Sequence, residues 1–431
     1  MYRLPALKNG SFYDRLFTPL VSLWLLLYQR LNADHSLDAA LTHARAGGAD
    51  RLKSKLSSRL RSASTAAYSD ARQRLPEPFL RQTLQLLGDR ISRLDPAVLW
   101  HGWRLVLLDG STVRLRSYGD IPTEYPPHRN QHATGGYWCL MRVVVGFCAF
   151  SGAALDCALG SLHLSEQALS CQIILRTAAG GLFIGDRNFG IFLIAQAARA
   201  QGHHVLVRLT DLRAAKLLGR TLRLGDHCLS WQATGQSQRL ADLSAEPIPG
   251  RLLVVRLQRR GFRALQLCLF TTLLDSTEYP LAELVQLYGR RWQVELNLRY
   301  VKVQMEAAQL ETHSAEMARK EWLATLIAYN LIRAAMLCAA LHTQTEPLSL
   351  SFSACRRRLE YWLSDFGFAK RQAYATWQQL LAQLSQCRLP HRRTARPTEP
   401  RARRHLPQTF PPLRGSRAAA RRMLKKNSRK S

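Results

Sequence analysis

The chain has 431 residues, 47% of them apolar, which is enough to bury the cores of roughly two to four domains or subdomains. Its 61 lysines and arginines exceed its 30 acidic residues and give a formal net charge of +31. This excess favours a nucleic-acid partner, because counterion release drives such binding. Nine scattered cysteines without a C-x2-C pair argue against a disulfide framework or a cysteine zinc site, as expected for a cytoplasmic protein.

The first hundred residues are predicted to be helical. Apolar side chains recur at helical spacing in three stretches, residues 16–31, 37–44 and 79–94. Asp34 and Ser36 are candidate helix caps, and the uncharged run in the first stretch is too short to span a membrane and contains Pro19. Residues 51–62 carry five cations and no acid, which fits either a solvated helix face or a DNA-contacting helix. We interpret residues 1–100 as a helical DNA-binding region.

Residues 101–210 alternate between predicted strands and helices. Two short apolar runs, typical of buried strands, are each followed by an aspartate, first Asp109 and later Asp186. Because Asp109 precedes a glycine, the first strand is expected to end there in a turn. Between the two runs, a hairpin is expected to turn at Ser151 and Gly152. This order of elements predicts an α/β sheet with mixed strand directions.

The rest of the chain falls into three segments. Residues 211–274 hold short strand-like runs joined by turn-rich stretches, which indicates a β-rich insertion. Residues 275–385 return to helical spacing. Residues 386–431 carry fifteen lysines and arginines against Glu399 alone, and this composition predicts a basic, largely disordered tail.

The segment from Tyr288 to Lys302 is the most informative part of the chain. At about 100° per residue, one side of the predicted helix gathers a carboxylate, three cations and two aromatic rings: Tyr288, Arg291, Trp292, Glu295, Arg299 and Lys302. Such a surface can hold a metal ion and contact a phosphate backbone at once. The ordinary alternative is an exposed amphipathic face.

Asp109, Asp186 and Glu295 are the candidate metal ligands. Side chains at strand ends reach the rim of a sheet, where the two aspartates could meet the glutamate. Three carboxylates within a few ångströms repel unless a cation neutralises them, and oxygen-only ligands suit Mg²⁺ or Mn²⁺ rather than zinc. Two such ions, roughly 3.5–4 Å apart, bind the attacking and leaving oxygens of a phosphoryl transfer. Taken singly, Asp109 could be a turn residue and Asp186 a helix cap.

In this order, these elements resemble the DDE transposases of the bacterial insertion-sequence-4 group, from about residue 16 to residue 410. The resemblance rests on LLDGST (107–112), GDRNFG (185–190) and the helix signature Tyr-x2-Arg-x3-Glu-x6-Lys, with TPLVSLWLLLYQRL (18–31), AYSDARQRLP (67–76), HLSEQ (163–167) and AYNLIR (328–333) around them. It implies an RNase H-like mixed sheet with flanking helices. Its two parts, residues 101–210 and 275–385, would be separated by the insertion.

The resemblance also implies a role for each candidate residue. Three are implied to be catalytic carboxylates of a two-metal Mg²⁺ or Mn²⁺ site: Asp109, Asp186 and Glu295. Three are implied to hold phosphates beside the scissile bond: Tyr288, Arg291 and Lys302. Trp292 either stacks on a DNA base near the cut or packs against the core. Arg187 and Arg299 are further candidate DNA contacts.

The implied function is cut-and-paste transposition by a homodimer on double-stranded DNA, with the element's terminal inverted repeats and the target DNA as substrates. Two alternatives remain open: an RNase H-like nuclease that does not transpose, and a non-enzymatic DNA-binding protein descended from a transposase. No G-x4-G-K-[ST] motif is present, so no nucleotide cofactor is expected. We expect a cytoplasmic, nucleoid-associated bacterial protein without membrane contact.

Overall fold

A computed structural model describes residues 16–61, 64–94, 99–129, 135–219, 221–233, 246–258, 265–365 and 373–390, with Ser416, Ala418, Ala419 and Arg422. Its first helices are α1 (Pro19–Leu31), α2 (Leu37–Arg45), α3 (Leu56–Arg59), α4 (Ala66–Arg74) and α5 (Glu77–Arg93). The hydroxyl of Ser36 accepts the main-chain N–H of Ala39 at 3.1 Å and caps α2, as predicted. The predicted disordered tail lies almost entirely outside the described residues.

The basic stretch at 51–62 is not the helix that both of its interpretations assumed. Within its described part, residues 51–55 form turns, Lys55 adopts a left-handed φ of 58°, and only the single turn of α3 is helical. The left-handed residue interrupts the helical hydrogen bonding, while Leu56 is fully buried. This segment therefore follows the surface as a turn rather than as a helix.

The strands form a single mixed sheet. In the described residues they are β1 (Leu99–Trp100), β2 (Trp103–Leu115), β3 (Pro127–Arg129), β4 (Gly135–Cys148), β5 (Ala154–Ser161), β6 (Gly181–Gly185), β7 (His204–Leu209), β8 (Gly225–Trp231), β9 (Ile248–Leu257), β10 (Leu265–Thr271) and β11 (Gln309–Leu310). The helices between them are α6 (Ile121–Glu124), α7 (Glu166–Arg176), α8 (Phe192–Ala200) and α9 (Asp211–Leu218).

The central part of the sheet has the RNase H-like arrangement. Strands β2, β4 and β5 pair antiparallel, while β6 pairs parallel to β2 and β7 parallel to β6. The crossovers from β5 to β6 and from β6 to β7 contain α7 and α8. The predicted mixed α/β sheet is confirmed, and so is the hairpin, with Gly152 at a φ of 71°.

The strands of residues 211–274 extend this sheet instead of forming one of their own. Strand β10 pairs antiparallel with β7, and β9 and β8 follow outward in turn. The buried guanidinium of Arg251 ties them to the chain that leads into the next helices. It bonds Asp226 and donates to the carbonyls of Leu273, Asp275 and Tyr279.

The helices after the insertion are α10 (Leu281–Gly289), α11 (Trp292–Arg299), a π-helix (Tyr300–Gln304), α12 (Ala315–His342), a 3₁₀ turn (Pro347–Ser349), α13 (Phe352–Asp365) and α14 (Ala373–Ser385). Within the described residues, only α12 is long and apolar enough to cross a membrane, but 83% of its apolar window is buried inside the protein. It is therefore the core helix of one layer, packed with α1, α5 and α14.

The sheet separates two apolar layers. Along β2, Leu105 and Leu107 belong to the layer of α1, α5 and α12, whereas Val106 and Leu108 belong to the layer of α7 and α8, as the alternation of a strand requires. Residues 16–257 and 265–389, where described, form one compact unit. The division into five segments stays a prediction.

Candidate active site

The two aspartates are brought together by neighbouring parallel strands. The last paired residues of β2 and β6 are Leu107 and Ile184. Two residues further along each chain are Asp109 and Asp186, so the same register sets them side by side. Neighbouring strands lie about 4.8 Å apart, which brings the two carboxylates to the same edge of the sheet.

Asp109 does not end its strand, contrary to the prediction. Strand β2 continues to Leu115, and Asp109 and Gly110 pair with Val145 and Val144 of β4. The Asp-Gly pair signals a turn only where no neighbouring strand supplies hydrogen bonds, and the long β4 supplies them here. Asp109 lies where β2 runs past the end of β6, whereas Asp186 does follow its strand directly.

The predicted signature helix is interrupted twice. Helix α10 ends at Gly289, and the amides of Arg290 and Arg291 bond three residues back, to Leu287 and Tyr288, in a tighter turn. After Arg299 the chain continues as a π-helix, a form frequent at functional sites. The six residues of the stripe therefore do not lie on one regular helix, because both interruptions change their angular spacing.

Glu295 lies beside Arg291, the residue that directly precedes its helix α11. Val294 and Leu298 are buried in the core and hold α11 against the sheet. Glu295 is on the open side, where its Oε1 lies 3.0 Å from Nη1 of Arg291. The side chain of Arg291 is only 13% exposed, and its guanidinium lies 5.1 Å from the ring of Trp292.

Tyr288 is a buried residue of the same surroundings. It is 8% exposed, and burial raises the pKa of its phenol, with Asp186 acting in the same direction and Arg291 and Arg208 opposing it. The guanidinium of Arg291 lies 6.0 Å from the Tyr288 ring. Gly185 pairs with Val207, so Arg208, the next residue of β7, lies beside Asp186 and is a further cation at the site.

Lys302 reaches β2 from the π-helix. Its Nζ donates to Oγ of Ser111 at 2.8 Å, and Ser111 lies two residues beyond Asp109, on the same face of the strand. Burial lowers the pKa of Lys302, and Arg114 lowers it further. The ammonium is thus fixed next to the strand that carries the first aspartate.

The three remaining candidates are exposed. Trp292 is 65% exposed, so it does not pack in the core, and of its two interpretations stacking on a partner stays a prediction. Arg187 and Arg299 are also exposed, and neither forms an ion pair with any residue the structure describes. The interactions described above connect Asp109 with Asp186, Glu295 and Arg291, Tyr288 with Asp186 and Arg291, and Lys302 with Ser111 of the same strand. The role of Arg187 and Arg299 as DNA contacts stays a prediction.

The pKa of Asp109 is affected by charged groups from distant parts of the chain. The pKa of Asp109 is raised to about 6, first of all by burial; Asp186 and Glu295 also raise it, whereas the Gly110 amide and Arg291 lower it. The amide of Gly110 donates to the carboxylate at 2.9 Å. The charges of Asp186, from the turn after β6, and of Glu295, from α11, therefore both oppose ionisation of Asp109 on β2.

The three carboxylates are chemically suited to a hard divalent cation, but they are too far apart in this structure to hold one together. All three groups are carboxylates, the ligands that Mg²⁺ and Mn²⁺ prefer. Among the residues the structure describes, however, no three His, Cys, Asp or Glu side chains are close enough to hold a metal ion. Glu295 is paired with Arg291 instead.

Four polar side chains at or beside this site were not predicted from the sequence: Ser111, Glu166, Asn188 and Arg208. Two had a readable signal, since Ser111 alternates with Asp109 and Arg208 interrupts the apolar strand β7. Glu166 lies in the HLSEQ motif, which gave no indication of its contact with β2. Asn188 lies in the GDRNFG motif but was given no role.

Comparison with known proteins identifies the family. Residues 100–331, more than half of the chain, match the family model described as the transposase DDE domain. Over 294 residues, 67% of this chain and 65% of the relative, the chain is 27% identical to transposase InsG for insertion sequence element IS4 of Escherichia coli (strain K12). The match thus spans just under two thirds of that relative.

A solved structure is also similar, that of a piggyBac transposase synaptic complex with hairpin DNA. The likeness covers 88% of this chain and 79% of that chain at 11% identity, with a TM-score of 0.39, and it carries no weight for the fold.

The match to the family model includes both aspartates and Glu295, and it confirms the resemblance found in the sequence. The chain belongs to the DDE transposase family.

Proposed function

We propose that this protein is a DNA transposase that cuts DNA at the ends of an insertion element and joins the freed ends to a target. The observation that carries the proposal is the convergence on Asp109. Its carboxyl interacts with Asp186 and Glu295, residues far away in the sequence, and with the cation of Arg291. Family membership supplies the class of reaction.

The candidate residues divide the work of phosphoryl transfer. Asp109, Asp186 and Glu295 would hold Mg²⁺ or Mn²⁺, and a pair of such ions supplies an activated water and charge neutralisation at the reacting phosphate. Tyr288, Arg291 and Lys302 would bind the phosphates on either side of the scissile bond, because charge-assisted hydrogen bonds orient phosphates well. The exposed ring of Trp292 is available to stack on a base.

The DNA partners follow from the same proposal. We infer that the substrates are double-stranded element ends with terminal inverted repeats and a target duplex, bound by a homodimer. The net charge of +31 supports tight binding to the phosphate backbone in the cytoplasm, where the nucleoid is the natural partner. Arg187, Arg299 and the N-terminal helices are the proposed additional DNA contacts.

A nicking assay tests the proposal. The wild type is incubated with Mg²⁺ or Mn²⁺ and a duplex carrying the element's end, and nicking and binding are measured on the same samples. Asp186→Ala is expected to abolish nicking while binding stays within about twofold, since a single carboxylate adds little to backbone affinity.

Asp211→Ala is the matched control, because Asp211 follows β7 much as Asp186 follows β6 but lies outside the proposed metal ligands. It is expected to nick like the wild type. If Asp186→Ala nicks as fast as Asp211→Ala, the assignment of the carboxylates is wrong.

A further inference from the structure

A fourth carboxylate lies against the strand that carries Asp109. Glu166 is the first residue of α7, and its side chain covers Gly110 of β2. A methyl group added at Gly110 would lie 2.4 Å from Cδ of Glu166, far inside van der Waals contact. Because neighbouring residues of a strand face opposite sides, Glu166 touches β2 on the face opposite to the side chain of Asp109.

The same carboxylate bonds the turn that follows β6. Nδ2 of Asn188 donates to Oε2 of Glu166 at 2.5 Å. Gln167 donates from Nε2 to Oδ1 and to the main-chain oxygen of Asn188, at 2.5 and 3.0 Å. The main-chain N–H of Asn188 in turn donates to Oδ1 of Asp186 at 2.8 Å. A continuous chain of hydrogen bonds thus links α7 to the second aspartate.

Helix capping does not account for these contacts. Helix α7 is already capped by Ser165, whose Oγ accepts the main-chain N–H of Ala168 at 3.1 Å. A glutamate in the first turn gains helix-dipole stabilisation wherever its carboxylate points. Capping therefore does not explain why the carboxylate of Glu166 lies over Gly110 and bonds Asn188. This contact joins the HLSEQ motif to the GDRNFG motif.

We propose that Glu166 is a positioning residue for Asp186, acting through Asn188. The turn that carries Asp186 is anchored by buried Phe189 but is exposed at Arg187 and Asn188, so hydrogen bonds rather than packing restrain its exposed part. The rigid start of α7 supplies the restraint through a charge-assisted hydrogen bond, which is stronger than a neutral one. The proposal rests on the proposed function, since positioning matters only if Asp186 acts in DNA cleavage.

The first test removes or weakens the carboxylate. Glu166→Ala is expected to lower the single-turnover nicking rate at saturating DNA about tenfold, and Glu166→Gln about threefold, because the amide oxygen can still accept from Asn188. DNA affinity should not fall, since a carboxylate can only repel phosphates. Glu316→Gln, in the first turn of α12 after its cap Ser314, is the matched control and should keep the wild-type rate.

The second test moves Glu166 without altering it. Gly110 does not have a positive φ, so Gly110→Ala is allowed by the backbone but displaces the carboxyl. It is expected to slow nicking about tenfold in the wild type and less than about twofold in the Glu166→Ala background, where the methyl has room. Equal losses in both backgrounds would overturn the proposal, because the two changes would then act independently.

A third measurement does not depend on activity. Amide hydrogen exchange of the peptide covering residues 185–190 is expected to speed up in Glu166→Ala and to stay unchanged in Glu316→Gln. Unchanged exchange together with unchanged nicking would overturn the positioning role. Faster exchange in a protein whose wild type never nicks DNA would support the positioning contact while removing the proposed function.

Discussion

Replacing Asp109 with asparagine should stabilise the metal-free protein at neutral pH. Asparagine has the same shape, and its Oδ1 can still accept the N–H of Gly110, which bonds the aspartate at 2.9 Å. What the substitution removes is a buried negative charge that lies near Asp186 and Glu295. Sites that hold several like charges sacrifice stability for function, and here the effect can be measured.

The magnitude follows from the raised pKa of Asp109, about 6 in the folded protein against an ordinary 3.8. An acid with a raised folded pKa binds its proton more tightly in the folded state, so folding stability falls as pH rises from about 4 to about 6. A difference of about two between the folded and unfolded pKa values corresponds to about 3 kcal/mol of unfolding free energy. The wild type should lose this stability as the pH rises, and Asp109→Asn should not.

The assay is urea unfolding of both proteins between pH 4 and pH 8, with EDTA present to exclude metal ions. The difference in the free energy of unfolding, variant minus wild type, should grow by up to about 3 kcal/mol between pH 4 and pH 7 and then level off. Comparing one difference at two pH values cancels any pH-independent effect of the substitution. A difference that stays constant, or falls with pH, would refute the picture of mutually repelling carboxylates.

Three further predictions concern stability and DNA affinity. Arg333 is 2% exposed and donates to Asn297 and the hydroxyl of Tyr329, both at 2.7 Å, so Arg333→Met should lose about 2–4 kcal/mol in urea unfolding; an unchanged midpoint would contradict this. Arg251→Met should lower the free energy of unfolding by about 3–5 kcal/mol, because it leaves a carboxylate and three carbonyls without their donor. Asp226→Asn should lower it less, and equal losses in urea unfolding would contradict this expectation. Truncation after Cys387 should weaken DNA binding and flatten its salt dependence, measured by fluorescence anisotropy in increasing salt; an unchanged slope would remove the tail as a DNA contact.

Local sequence patterns predicted the helices and strands whose local preference agrees with their tertiary surroundings. The apolar run before Asp186 ends where β6 ends, and Ser36 caps the helix that it precedes. The Asp-Gly pair at Asp109 misled the sequence reasoning, because pairing with β4 overrides a local turn preference. That pairing joins residues distant in the chain, and a local pattern cannot reveal it.

The sequence suggests which residues form the candidate site, but it does not give their spacing. Helical periodicity grouped Tyr288, Arg291 and Lys302, but it could not foresee the break after Gly289 or the π-helix that carries Lys302 to Ser111. Both depend on how the segment packs against the sheet. The contact between Glu166 and Gly110 is similarly tertiary and has no signature in either motif alone.

The most direct test of the central claim is a crystal structure of the protein with element-end DNA and Mn²⁺, with the ions located by anomalous scattering. We expect Mn²⁺ to be coordinated by carboxylate oxygens of Asp109, Asp186 and Glu295, with Glu295 released from Arg291. Manganese bound elsewhere, or a complex in which one of the three carboxylates stays out of coordinating distance, would contradict it.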